Sequence, residues 1–250
     1  MSKSAVPLSV CAVAVFLSIC CELLSQTRRA SAASYIERGI QYQRQGLLDR
    51  AIADYTIAIE FDPRSSLAHY NRGSVYQQRD ELMEAIADYS KAIEINPKYA
   101  EAYLNRANIY KEHGDVEAAV SDYAVALNIK PTFAKVYYNR GNLLFLQGDV
   151  EGALADFDNA IKSDHRYVQA YNNRGIAKQE KGDVAGAILD FSAALKIAPD
   201  HAQSYVNRGI ALLLQGRNTE AERDFSRSIA LKPDLRSVID RLRADVADNN

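Results

Sequence analysis

The sequence predicts an all-α solenoid of six helix-turn-helix repeats, followed by a capping helix. Three observations carry this expectation. A unit of 34 residues recurs six times without insertion or deletion, over 32–65, 66–99, 100–133, 134–167, 168–201 and 202–235. Its twentieth residue is always alanine (Ala51, Ala85, Ala119, Ala153, Ala187, Ala221), and its twenty-fourth is always aromatic (Tyr55, Tyr89, Tyr123, Phe157, Phe191, Phe225). Proline closes five of the six copies, at Pro63, Pro97, Pro131, Pro199 and Pro233.

Residues 1–32 stand apart, and none of the 15 tyrosines precedes Tyr35. Lys3 and the free amine lead into an apolar run from Ala5 to Cys21, and the small-x-small triplet Ala30-Ser31-Ala32 follows. This is the layout of a secretory signal cleaved before Ala33, which would make the protein exported, periplasmic or secreted. The run is also near the lower length of a membrane span, so an uncleaved amino-terminal anchor is the alternative. All three cysteines, Cys11, Cys20 and Cys21, fall here. The rest of the chain therefore has neither disulfides nor thiolate metal ligands.

Each repeat reads as two helices. In repeat 3 the first runs from Ala100 to His113, and Gly114 supplies the left-handed residue that commonly ends a helix. Asp115 then caps a second helix, Val116 to Ile129, and Pro131 prevents its continuation. Gly148-Asp149 and Gly182-Asp183 repeat the punctuation. Small residues such as Gly141, Ala153 and Ala160 fall where the two helices approach closely, with Tyr137 and Phe157 filling the adjoining space. One hairpin cannot bury its own apolar face, so stability must come from stacked neighbours. The last hairpin needs a lid. Leu235, Val238, Ile239, Leu242 and Val246 lie on one face of a helix over 236–247 that supplies it.

The recurring Asn71-Arg72-Gly73, Asn139-Arg140-Gly141, Asn173-Arg174-Gly175 and Asn207-Arg208-Gly209, with the alanines, aromatics and prolines above, resemble the tetratricopeptide repeat family. The resemblance covers Ala32 to Leu235. His165 stands where the closing proline of repeat 4 would be, Leu144 and Lys178 replace a tyrosine, and Ser228 replaces an alanine. The resemblance implies a right-handed superhelix with first helices on the concave face and second helices on the convex face.

Composition narrows the function classes. Lys+Arg total 30 and Asp+Glu 32, a formal net charge of −2. Removing residues 1–32 deletes Lys3, Arg28, Arg29 and Glu22, leaving 27 positive and 31 negative charges. That balance argues against nucleic acid as a partner, which asks for a basic surface. His69, His113, His165 and His201 occupy unrelated repeat positions, and no phosphate-cradling glycine loop or nucleophile elbow is present. No catalytic residue, metal ligand or cofactor is expected.

Two recurrences remain. Asn71, Asn105, Asn139, Asn173 and Asn207 stand at the sixth position of repeats 2 to 6. The resemblance places them on the concave face, like the peptide-gripping asparagines of some long superhelical members. An amide can pair with the backbone of any extended peptide; the alternative is that it only bridges neighbouring first helices. Arg38, Arg72, Arg106, Arg140, Arg174 and Arg208 at position seven accompany Asp54, Asp88, Asp122, Asp156, Asp190 and Asp224 at position twenty-three. Equal numbers of each sign favour a structural ion pair over a charged recognition stripe. The family's carboxylate clamp is not expected, because Ile36, Ile40, Gln169 and Gln203 stand where it needs Lys or Arg. Phe145, Leu146, Leu213 and Leu214 instead offer an apolar patch, unless they pack between first helices. The expected function is a non-catalytic protein-interaction module that binds an extended peptide or helix in the concave groove. The alternative is an assembly scaffold for a larger envelope or secretion complex, attached to the membrane only through residues 1–32.

Overall fold

Turn chemistry fixes where the helices end. The computed structural model of the chain describes residues 10–248, and of residues 10–22, 24, 25 and 244–248 only the backbone. The start of the expected targeting segment, residues 1–9, lies outside the described residues, as do Asn249, Asn250 and the side chain of Val246.

Every element among the described residues is helical, and two compact units, 1–109 and 110–250, divide the chain within its fifth helix. The first unit holds α1 (Val10–Arg44), α2 (Leu48–Phe61), α3 (Ser66–Gln78), α4 (Leu82–Ile95) and most of α5 (Ala100–Glu112). The second holds α6 (Val116–Ile129), α7 (Ala134–Leu146), α8 (Val150–Ser163), α9 (Val168–Glu180), α10 (Val184–Ile197), α11 (Ala202–Leu214), α12 (Asn218–Leu231) and α13 (Arg236–Asp248). Within each unit consecutive helices pack as antiparallel hairpins, and each hairpin packs on the next. This is the predicted all-α repeat solenoid.

The expected punctuation is present. Gly114, Gly148 and Gly182 have φ of 79°, 83° and 83°. The carboxylates of Asp115, Asp149 and Asp183 then accept the backbone N–H of Ala118, Gly152 and Gly186. Repeat 2 makes the same turn with Asp80 at φ 62°. His165 loses no helix stop, because Asp164 ends α8 and its side chain accepts the Arg166 N–H at 2.9 Å. Asp62 and Asn96 do the same beside their prolines.

The amino-terminal helix differs from expectation in extent. α1 begins well before repeat 1 and passes without a break through Ala30-Ser31-Ala32. No proline or turn signal interrupts the sequence between Leu8 and Gly39. Ala32 and Ile36 are buried with Ala51, Tyr55, Ala58, Ala68 and Val75, while residues 26–30 are exposed. No helix among the described residues is long and apolar enough to cross a membrane. At the other end, Ile239 of α13 is fully buried against Val206, Leu212, Ala221 and Phe225, with Leu235 and Leu242 beside it.

The hairpin core is the alanine and aromatic pattern made solid. All six alanines at position twenty are fully buried, and the six aromatics at position twenty-four are at most 1% exposed. Ser228 replaces an alanine at no cost in unsatisfied groups, since its hydroxyl donates to the Phe225 carbonyl at 2.8 Å.

The arginines and aspartates form bidentate pairs within hairpins. Nε and Nη2 of Arg38, Arg72, Arg140, Arg174 and Arg208 donate to the two oxygens of Asp54, Asp88, Asp156, Asp190 and Asp224 at 2.6–2.9 Å. A third donor reaches back one repeat: Nη1 of Arg72, Arg106, Arg174 and Arg208 donates to Thr56, Ser90, Asp158 and Ser192. Each of these guanidinium groups ties neighbouring hairpins together, so the recurrence serves the fold.

Repeat 2 varies the theme, because buried His69 replaces the tyrosine of position four and meets Asp88 at 3.0 Å. Burial pushes the Asp88 carboxyl up, but hydrogen bonds from His69 and Arg72 outweigh it and hold the group below its ordinary value. A depressed carboxyl stabilises the fold above its unfolded pKa, about 4, and loses that contribution as pH falls towards the folded value. The stability gap between wild type and Asp88→Asn is therefore expected to be widest near neutral pH and to shrink below about pH 4. Denaturant titrations at pH 7 and pH 3 check this; a gap of constant size would contradict it.

Candidate peptide-contact face

The first helices carry the five asparagines, and all five are half-buried. In the first unit, Asn105 Nδ2 donates to the Tyr70 hydroxyl at 3.1 Å and the Tyr89 hydroxyl at 3.4 Å. Burial pushes the Tyr70 phenol up more than this bond lowers it, so it stays protonated around neutral pH. Asn71 lacks the corresponding partner, because Ile36 stands 35 residues before it where Tyr70 precedes Asn105. Its Nδ2 is buried without a hydrogen bond among the described residues.

In the second unit, Asn139 bonds the Tyr123 phenol. Asn173 Nδ2 donates to Asn142 Oδ1 at 2.7 Å and to the Tyr138 hydroxyl at 3.3 Å. Asn172 Nδ2 donates to Asn173 Oδ1 at 3.1 Å. Asn207 Nδ2 and the Ser204 hydroxyl both donate to Asn172 Oδ1 at 3.0 Å, and Gln203 Nε2 donates to Asn207 Oδ1 at the same distance. A continuous amide network thus joins α7, α9 and α11. Asn105, Asn173 and Asn207 bridge neighbouring first helices, and Asn173 and Asn207 use both ends of their amides within the chain. The partners of these asparagines, Asn142, Asn172, Ser204 and Tyr138 in the network and Tyr70 in the first unit, follow no six-fold recurrence and were not legible as a set.

The apolar patch divides. Phe145 and Leu146 line an open cavity of about 330 Å³ with Phe157, Ile176, Asn142 and Asn173. Leu146 is 80% exposed at its mouth. Leu213 is half-buried against the cluster that receives α13, and Leu214 is exposed. At this place two repeat positions change together. In repeats 1 and 2 the hydroxyls of Tyr55 and Tyr89 donate to Gln43 and Gln77 at position twelve. In repeat 4 Phe157 has no hydroxyl and Phe145 replaces the glutamine, so the same place is apolar. The same paired change, Leu213 with Phe225, occurs in repeat 6, where α13 covers it, so the sequence narrows the place to two repeats.

The cavity can take an apolar side chain of a partner, with the Asn142 and Asn173 amides at its edge. A volume of this size is at the lower end for ligand sites, which are typically about 300–1,000 Å³. Elsewhere, His69 belongs to the hairpin core and His201 Nδ1 pairs with Ser204 at 2.8 Å. Among the described residues no group of three or more His, Cys, Asp or Glu could hold a metal ion.

Known proteins show the same architecture. A family model described as TPR repeat matches residues 39–80, 74–114, 107–148 and 141–182, and one described as tetratricopeptide repeat matches 172–235. No curated relative matches the sequence. Among solved structures, PilF of Pseudomonas aeruginosa is 19% identical, with a TM-score of 0.73 over 83% of this chain and 94% of that one. A tetratricopeptide repeat protein of Parabacteroides merdae is 24% identical, with a TM-score of 0.67 over 80% of both chains. YrrB, described as a TPR protein with an unusual peptide-binding site, is 23% identical, with a TM-score of 0.62 over 72% of this chain and 93% of that one.

Proposed function

This chain belongs to the tetratricopeptide repeat family, and from that premise we propose that it is a non-catalytic interaction module whose first helices take an extended peptide or helix of a partner protein. The observation that carries the reading is the cavity between α7 and α9, where exposed Leu146 and half-buried Phe145 surround an apolar opening edged by amides. Family membership supports protein or peptide partners in general, and the peptide-binding site named for YrrB supports the finer reading by analogy. The occupant is an apolar anchor residue flanked by uncharged backbone. The asparagines are then chiefly the frame that fixes α7, α9 and α11 at a constant spacing, and Asn142, of which only the amide oxygen is engaged in the network, is the one at the cavity edge that would meet the ligand.

The test is to pan a random peptide library against the full chain and measure a selected peptide by calorimetry. Burial of one large apolar side chain is worth roughly 1.5–3 kcal/mol, so Leu146→Asp is expected to weaken binding about tenfold or more. The thermal melt should not change, because Leu146 already faces solvent. Full affinity in Leu146→Asp would move the site away from this cavity.

A further inference from the structure

A second pocket, of about 300 Å³, opens between α10 and α12 over the side of α11, and its chemistry is the opposite of the first. Arg208, Arg217 and Arg223 line it beside Ser192, with Ile188 and Leu212 forming an apolar wall. Asp224 and Glu220 also reach it, so three guanidinium groups face two carboxylates. Asp224 is held in the bidentate pair with Arg208, and Glu220 by Arg217 at 2.7 Å. Arg223 is exposed, and its charge acts on Glu220 only weakly, behind the hydrogen bond and the charge of Arg217.

At the preceding junction the corresponding arginine has an acidic partner. There Arg174 pairs with Asp190, and its Nη1 donates to Asp158 Oδ1 at 2.6 Å. Asp158 is a carboxylate that the chain itself supplies at position twenty-five. One repeat later Ser192 stands at that position, and Arg208 Nη1 finds only its hydroxyl, at 3.1 Å. The earlier junctions with Thr56 and Ser90 also offer a hydroxyl, but they lack the added positive charge. Position sixteen is Asp115, Asp149 and Asp183 in repeats 3 to 5 and Arg217 in repeat 6. Position twenty-two is Ala53, Ala87, Ser121, Ala155 and Leu189 in repeats 1 to 5 and Arg223 in repeat 6. The last junction alone removes the internal acid or leaves it absent while adding two guanidinium groups.

We propose that this pocket binds a carboxylate: the acidic side chain of a partner segment, taking the place that Asp158 fills one repeat earlier. Arg223 and the Nη1 edge of Arg208 receive the carboxylate as charge-assisted hydrogen bonds. Ile188 and Leu212 cover the methylenes and an adjacent apolar residue. The site lies among α10, α11 and α12, away from the cavity of Phe145 and Leu146, so it is independent of the reading above.

The probe is acetyl-Glu-Leu-amide, with acetyl-Gln-Leu-amide and inorganic phosphate as comparators, titrated at constant ionic strength into the full chain and followed by the arginine Nε–Hε signals in NMR. Saturable millimolar binding of the glutamate compound and none of the glutamine compound is expected. Arg223→Gln, an exposed side chain, should weaken it about ten- to a hundredfold, the loss of one charge-assisted hydrogen bond. Ser192→Asp rebuilds the internal carboxylate and should abolish binding while the melting temperature holds or rises. Equal binding of the glutamine compound, tighter binding of phosphate than of the glutamate compound, or unchanged binding in Arg223→Gln would each overturn the proposal.

Discussion

Gly141→Leu is expected to destabilise the second unit by about 3 kcal/mol or more, at the upper end of overpacking effects. A Cβ built on Gly141 would lie 2.9 Å from Cε1 of Phe157 and 3.2 Å from Cβ of Asp156. Phe157 is hemmed in on most sides, since it is 1% exposed and packs with Ala153 and Ala177, and only the cavity beside Phe145 is open to it. The leucine therefore either pushes the Phe157 ring into that cavity or separates α7 from α8 at Asp156, and in a solenoid either change weakens the interface with the next hairpin. The same contact recurs at Gly39 with Tyr55, Gly175 with Phe191 and Gly209 with Phe225, each at 2.6 Å, so the close approach belongs to several copies, whereas repeat 3 accommodates Ala107 there. For a chain of this size each kcal/mol shifts the melting temperature by roughly 2–4 °C. Thermal melts followed by circular dichroism should rank wild type above Gly141→Ala, and Gly141→Ala above Gly141→Leu. Coincident melts for all three would mean that the helices have room to spare here.

Much of this fold was legible because each landmark answers a local demand. Gly114 is required by a positive φ, Asp115 by an orphan N–H at a helix start, and Ala153 by the closeness of two backbones. These demands recur every 34 residues, so the register could be read without knowing how hairpins stack. Recognition residues are different, because their role depends on the neighbour across a junction. The sixth-position asparagines keep one identity, yet Asn105 bonds a tyrosine, Asn207 bonds Asn172 and the Nδ2 of Asn71 bonds nothing among the described residues. Part of the difference comes from position five of the preceding repeat, which runs Ile36, Tyr70, Leu104, Tyr138, Asn172 and Val206, and the rest from Tyr123 and Asn142, which bond Asn139 and Asn173. The third donor of each arginine is likewise invisible from its own repeat, since it reaches position twenty-five of the one before.

Arg140→Ala is expected to cost more than Asp156→Ala, although both break one ion pair. Arg140 Nε and Nη2 donate to the Asp156 carboxylate at 2.7 and 2.8 Å, joining α7 to α8. The aspartate side chain is 4% exposed and the arginine side chain 24%. Removing the arginine leaves a buried carboxylate with no counter-charge, a loss of about 3–5 kcal/mol. Removing the aspartate leaves a guanidinium that still reaches water along its exposed edge, so the penalty should be smaller, roughly 1–3 kcal/mol. This junction isolates the effect, because Ala124 stands at position twenty-five of the preceding repeat and offers no oxygen for a third bond. Replacing both partners by leucine should recover much of the loss, since a well-packed apolar pair is often as stable as the buried ions it replaces. Denaturant titrations of the two single variants and the double variant give the order directly. If Asp156→Ala proved the costlier, the pair would owe its worth to aspartate packing against Gly141 and not to charge; equal costs would place the two groups in one common environment, against the exposures observed.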